Sequence, residues 1–163
     1  MGGPLVVVGH GLRERQVLGP AAPGAAPQLI LLRLRRYRCI ACRAIITVAP
    51  RGVLRRRLYA ASAIAWALAR VGLQGAATAH VRAEISPAKV IGIAAAQRWI
   101  SVPRWIEASR EGRLFPQFGR HGASCQRRQV AERTAMQLMA LAPPSAQAEP
   151  RAHAAWRGGV LAA

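Results

Sequence analysis

Thirty-four of the 163 residues are alanine, while Trp, Tyr and Phe together supply only eight. A chain so poor in large side chains can fill only a small core. Its 52% hydrophobic content overstates its burying power, because an alanine side chain removes little apolar surface from water. At this length the ceiling is one ordinary domain or two very small ones. The longest apolar stretch, residues 58–69, is closed off by Arg57 and Arg70 and falls short of the roughly 20 residues that a membrane-spanning helix needs. The opening MGGPLVVVGHGLRER has no basic segment before its short apolar run, so it reads as a poor signal peptide. A cytoplasmic location is expected, and there the three cysteines do not make a disulfide framework.

Charge narrows the choice further. Lys+Arg number 24 against six acidic residues, a net +18, and all but Lys89 are arginine. Arginine, alanine, glycine and proline are what a GC-rich genome writes by default, so part of the bias is open to a mutational origin. An excess of this size still creates a potential that attracts nucleic acid or an anionic membrane. Arginine also suits phosphate and guanine, because its planar fork donates two parallel hydrogen bonds. All six acids are glutamate, and there is no aspartate. That excludes an Asp–Asp–Glu metal triad, a Walker-B aspartate, an EF-hand and a Ser-His-Asp triad. The expectation is a binder of a polyanion with no catalytic residues.

The fold class expected is α+β: a small β-ribbon, then a helix-turn-helix bundle, then a disordered tail. Residues 1–57 carry eleven arginines against Glu14, a net +10, and read as a β-rich element. Leu5–Val8 is an apolar, valine-rich run that ends in a turn or bulge at Gly9-His10-Gly11. Pro20–Pro27 is a loop by composition. In Leu29–Arg38 the second half alternates, so a strand sets Arg33, Arg35, Tyr37 and Cys39 on one face and Leu32 and Leu34 on the other. Ala44–Val48 is a further short strand closed by Pro50. Two antiparallel ribbons result, with Cys39-Ile-Ala-Cys42 at one tip.

Residues 58–115, net +4, read as helical. Ile64, Leu68 and Val71 fall at i, i+4 and i+7, so the first helix is mostly buried, and Gly72 is placed as its C′ stop. A second helix is expected over Ala76–Glu84. Ser86-Pro87 then supplies an N-cap hydroxyl and a proline at the first helical position, opening a third helix over Ala88–Ile100. Pro103 breaks the chain at Val102 ahead of a fourth helix over Arg104–Glu111, which lets Trp99 and Trp105 reach one core. Residues 116–163 read as a weakly structured basic tail with one helix over 130–141, where Val130, Thr134 and Leu138 are spaced four apart. From Ala142 onward the low-complexity run is expected to be disordered.

Two features carry chemistry. The first is the Cys39–Cys42 pair, which presents two thiolates to a metal, although a structural zinc site needs four ligands. His10, or His121 with Cys125, are the other donors in the chain, and the alternative is a pair of reduced thiols in a degenerate site. The second is the helical stretch 58–100, which is compatible with a helix-turn-helix. In that reading Lys89 and Arg98 reach base edges, while Arg33, Arg35, Arg36, Arg38, Arg55, Arg56, Arg57 and Arg104 complete the DNA-binding set, chiefly by gripping phosphates. In the plainer reading they only solvate the surface.

GHGLRER (9–15) and LILLRLRRYRCIACRAIITVAPRGVLRRRLYAASAIAWAL (29–68) resemble the front end of certain bacterial insertion-sequence transposases, and related stand-alone zinc-ribbon plus helix-turn-helix proteins. Cys39 and Cys42 match the family's second knuckle, Arg33 to Arg38 its basic strand, and Arg57 to Ala61 the entry to its first helix. Trp99 and Trp105 resemble the tryptophan-bearing helix that follows. The likeness spans about residues 5–110. It implies a DNA-binding, nucleoid-associated accessory or remnant rather than a transposase, since the first knuckle and a catalytic domain are both missing. It also implies zinc if an upstream cysteine pair exists, so the chain is expected to start too late and to hold well below one zinc. The rival expectations are an unspecific polycationic binder of RNA or anionic membrane, and a decayed or mis-started reading frame.

Overall fold

The computed structural model describes residues 5–88 and 99–163. A three-stranded antiparallel sheet comes first, in the order β1 (Val7–Pro20), β2 (Pro27–Cys39), β3 (Ile45–Thr47). Leu12 lies across from Arg35, Arg13 from Leu34 and Glu14 from Arg33. The register shifts between Gly9 and Leu12, with Gly11 at φ 77, so the expected irregularity at Gly9-His10-Gly11 is a β-bulge built on a left-handed glycine. Opposed residues share a face of a sheet. One face therefore carries Leu12, Leu31, Arg33, Arg35 and Tyr37, and the other Arg13, Arg15, Leu34, Arg36 and Arg38. Leu34 is buried while Arg33 and Arg35 are exposed, as alternation predicts. The Cys39–Cys42 turn joins β2 to β3, as the two-ribbon reading expects.

Five α-helices follow among the described residues: α1 (Ala61–Gln74), α2 (Thr78–Ile85), α3 (Ser101–Arg110), α4 (Arg127–Leu141) and α5 (Arg151–Leu161). The alanines explain how they pack. Ala61, Ala63, Ala65, Ala67 and Ala69 of α1 are buried alongside Ile64 and Leu68, and such short side chains let neighbouring backbones come together. A Cβ on Gly72 would sit 2.3 Å from the Glu132 nitrogen of α4, and one on Gly158 of α5 would sit 1.7 Å from the Leu138 carbonyl oxygen. Close packing of many small atoms takes the place of large side chains.

Several helix limits differ from expectation. Gly72 is not a stop but a contact point inside α1, which runs on to Gln74 and closes at Gly75, φ 65. The second helix begins at Thr78 and reaches Ile85. The next begins at Ser101 rather than Arg104, because Pro103 lies within its first turn, where a missing N–H leaves no bond unmade. Trp99 and Trp105 do converge, with ring centroids 6.1 Å apart and nearly perpendicular. The helix expected over Ala88–Ile100 falls on 89–98, outside the described residues.

The largest correction concerns 116–163. Its expected helix exists as α4, opened by a reciprocal Gln126–Gln129 capping box, with Val130, Thr134 and Leu138 buried. The stretch expected to be disordered instead forms α5, which buries Ala152, Ala154, Ala155 and Trp156. Ala152 and Ala155 belong to the same core cluster as α1, α3 and α4, and so does the fully buried Phe115. The bundle therefore runs from residue 58 to the end of α5, with no boundary at 115. The sheet is bonded to the lead-in of α1, where the Leu18 N–H donates to the Leu58 carbonyl at 2.9 Å and the Ala60 N–H to the Leu18 carbonyl at 2.9 Å, and its β1 and β2 strands also touch α2.

Candidate nucleic-acid interface

The segment between β3 and α1 folds back along β1, and Arg15 holds it there. Its guanidinium donates to the Leu54 carbonyl and, at 2.8 Å, to the Arg57 carbonyl. Arg56, between them, takes a left-handed backbone, φ 58, which costs an ordinary residue about 1 kcal/mol. The result is a groove of about 1080 Å³ whose lining includes Arg13, Arg15, Arg55, Arg56 and Arg57 against the single carboxylate Glu14. Sequence reasoning found the 55–57 run but missed Arg13 and Arg15. Their signal was present in the Arg13-Glu14-Arg15 spacing, which puts two arginines on one strand face.

The expected phosphate-binding set is divided by the sheet. Arg36 and Arg38 share the face of Arg13 and Arg15, and Thr47 and Ile45, their partners on β3, line the groove. Arg33 and Arg35 lie on the opposite, exposed face beside Tyr37. The Nε of Arg36 is enclosed and has no hydrogen-bond partner. Arg104 is exposed on α3 and does not line the groove. Lys89 and Arg98 lie outside the described residues.

Ion pairing separates the two halves of the chain. Arg70 meets Glu84 at 2.7 Å, Arg110 meets Glu107 at 3.3 Å, Arg157 meets Glu149 at 3.5 Å, and Arg113 meets Glu111. All of these are in the helical bundle. Among the described residues, no arginine of 1–57 pairs with a carboxylate. The positive charge of the sheet is therefore not offset by paired carboxylates among the described residues.

The cysteines stand at the far end of the sheet. Cys39 is buried and Cys42 exposed. The Cys39 thiol is held below its ordinary value of 9.0 by the Cys42 backbone N–H, then by the Cys42 side chain and the Ala41 N–H, with burial opposing. Two sulfurs are half of a tetrahedral zinc set, and among the described residues no group of three His, Cys, Asp or Glu side chains comes together. Of the other donors weighed from sequence, His10 lies in the β1 bulge, three residues along from Val7, and the remaining two sit away from the sheet. Cys125 receives a hydrogen bond from Arg133 at 3.1 Å, and His121 contacts the Thr134 hydroxyl at 3.1 Å, both in the bundle.

Comparison of the chain with protein-family models, curated proteins and solved structures finds no match. No helix among the described residues is long and apolar enough to cross a membrane.

Proposed function

We propose that this chain is a DNA-binding protein of the nucleoid, related to the transposases it resembles and taking no catalytic part itself. The observation that carries this reading is the open charge of the sheet: eleven arginines in 1–57 with no carboxylate partner among the described residues. In the groove, Arg13, Arg55, Arg56 and Arg57 grip phosphates, while Arg15 shapes the wall they stand on. Phosphate contacts of this kind position a protein on a duplex without reading its sequence. Any discrimination between sites would fall to the 89–98 segment, with Lys89 and Arg98.

A second reading has one observation in its favour. Leu29 and Leu31 are each 52% exposed on the same face as Arg33 and Arg35, and apolar side chains beside arginines suit an anionic membrane surface. Equilibrium binding to a duplex and to vesicles containing anionic lipid separates the two. The DNA reading expects tight duplex binding that Arg55→Ser/Arg56→Ser/Arg57→Ser weakens for every sequence alike. Vesicle binding that is lost on Leu29→Ser/Leu31→Ser, with no measurable duplex binding, would replace it.

A further inference from the structure

Around the Cys39–Cys42 turn, the end of the sheet is apolar and uncovered. Val6 is 57% exposed, Ile40 53% and Ile45 54%. They are fixed beside the cysteines by the backbone: the Ile40 N–H donates to the Val6 carbonyl at 3.1 Å, and the Cys39 N–H to the Ala44 carbonyl at 2.9 Å. Val7 lies directly across from Cys39. Large apolar side chains grouped on a surface mark a place where something docks. Here they lie at the same end of the sheet as the two cysteines of the turn.

We propose that this turn is one half of a zinc site shared between two copies of the chain. Cys39 and Cys42 of each copy together give the four sulfurs that one tetrahedral Zn²⁺ requires, and the apolar rims close around it. Among the described residues of the chain no third donor joins the two cysteines, His10 of the β1 bulge included. The chain's third cysteine and His121 are in the bundle, and residues 1–4 and 89–98 contain no His, Cys, Asp or Glu. A two-fold axis through the metal satisfies both halves with one surface, as an isologous contact must.

Charge supports the arrangement and sets its metal dependence. Zn²⁺ with four thiolates is a dianion. Arg38 and Arg43, which bracket the turn in the chain, supply four positive charges from two copies to the assembly. Without the metal, two strongly cationic sheets repel each other, so association needs zinc. The positive φ of Arg43, 63, with its N–H on the Cys39 carbonyl at 3.1 Å, keeps the turn closed before any metal arrives.

The test uses the full chain, reduced with a non-thiol reductant and free of nucleic acid, so its outcome is independent of the proposed DNA binding. Zinc is titrated in while sedimentation reports mass and elemental analysis reports metal content. The expected result is a shift from the 17.5 kDa monomer to a dimer carrying one zinc per two chains, reversed by a chelator. Cobalt in place of zinc should give the absorption of a tetrahedral four-thiolate centre. Cys42→Ser, at an exposed position, should keep the monomer's thermal melt and lose both dimer and cobalt spectrum. Ile40→Gln should keep the cysteines but need more protein to dimerise. A monomer holding one zinc per chain, a dimer that survives Cys42→Ser, or a reduced chain that takes up no zinc would each overturn the proposal.

Discussion

In the helical bundle, Arg70 is wrapped around Glu84, its Nη2 2.7 Å and its Nε 3.0–3.1 Å from the carboxylate, which also accepts from Trp66 Nε1 at 2.6 Å. In the sheet, Glu14 is the only carboxylate among eleven arginines, and among the described residues it pairs with none of them. The two regions treat apolar surface as differently as charge. Leu68, Ile64 and Leu138 are fully buried in the bundle, whereas Leu29, Leu31 and Val8 of the sheet are exposed at 52%, 52% and 41%. The bundle gathers Ile64, Leu68 and Leu138 into one core and pairs four of its arginines with carboxylates. The sheet, among the described residues, pairs none of its arginines with a carboxylate and leaves Leu29, Leu31 and Val8 exposed.

Substitutions that close or open this contrast should act in a definite order. The largest effect belongs to Gly158→Val, which drives a side chain into the Leu138 carbonyl. It should cost about 3 kcal/mol or more, read as a collapse of the cooperative helical melt. Arg15→Ala comes next, since the Leu54 and Arg57 carbonyls lose their donor. A loss of about 1–2 kcal/mol, with weaker binding to every duplex tested, would mark Arg15 as the groove's brace. Glu84→Gln removes the partner of Arg70 in a half-exposed pair and should cost about 1 kcal/mol in denaturant titration, leaving duplex binding untouched. The smallest effect is a pH dependence. Burial first, then Arg133 and Arg110, hold His121 below its ordinary 6.5. The folded chain thus binds this proton less readily than the unfolded one, so the contribution is complete above about pH 6.5. It is lost as pH falls from there toward the lowered folded value. Melts from pH 7.5 to 5 should show this decline, and His121→Gln should flatten it.

The sheet was legible because its signals are local. Alternation in Arg33–Cys39 fixes which residues share a face, and Gly9-His10-Gly11 announces the bulge. The Trp99–Trp105 contact was expected from a break at Val102, yet Val102 and Pro103 lie inside α3 and the helix begins just after Ile100. The bundle's last helix was not legible, since Arg151–Leu161 has no stripe of large apolar residues and reads as low complexity. It folds because Ala155, Gly158 and Gly159 let it press against α1 and α4, a property of the neighbours rather than of the segment. Gly72 misled for the same reason: within one helix a glycine reads as a stop, and only the presence of α4 makes it a contact. The groove was half legible, for the 55–57 run stands out in sequence while its pinning by Arg15 across the fold does not.

The claim that the sheet's arginines, and not the chain's overall charge, bind the polyanion is tested by the salt dependence of duplex binding between 50 and 200 mM. Three chains are compared: the unaltered protein, Arg55→Ser/Arg56→Ser/Arg57→Ser, and the charge-matched Arg120→Ser/Arg127→Ser/Arg151→Ser on exposed positions outside the sheet. At about 0.9 per phosphate contact, the sheet variant should flatten the slope of log K against log salt by roughly 2.7, and the bundle variant should leave it unchanged. Equal flattening in both variants, or a slope near zero in the unaltered chain, would contradict the account.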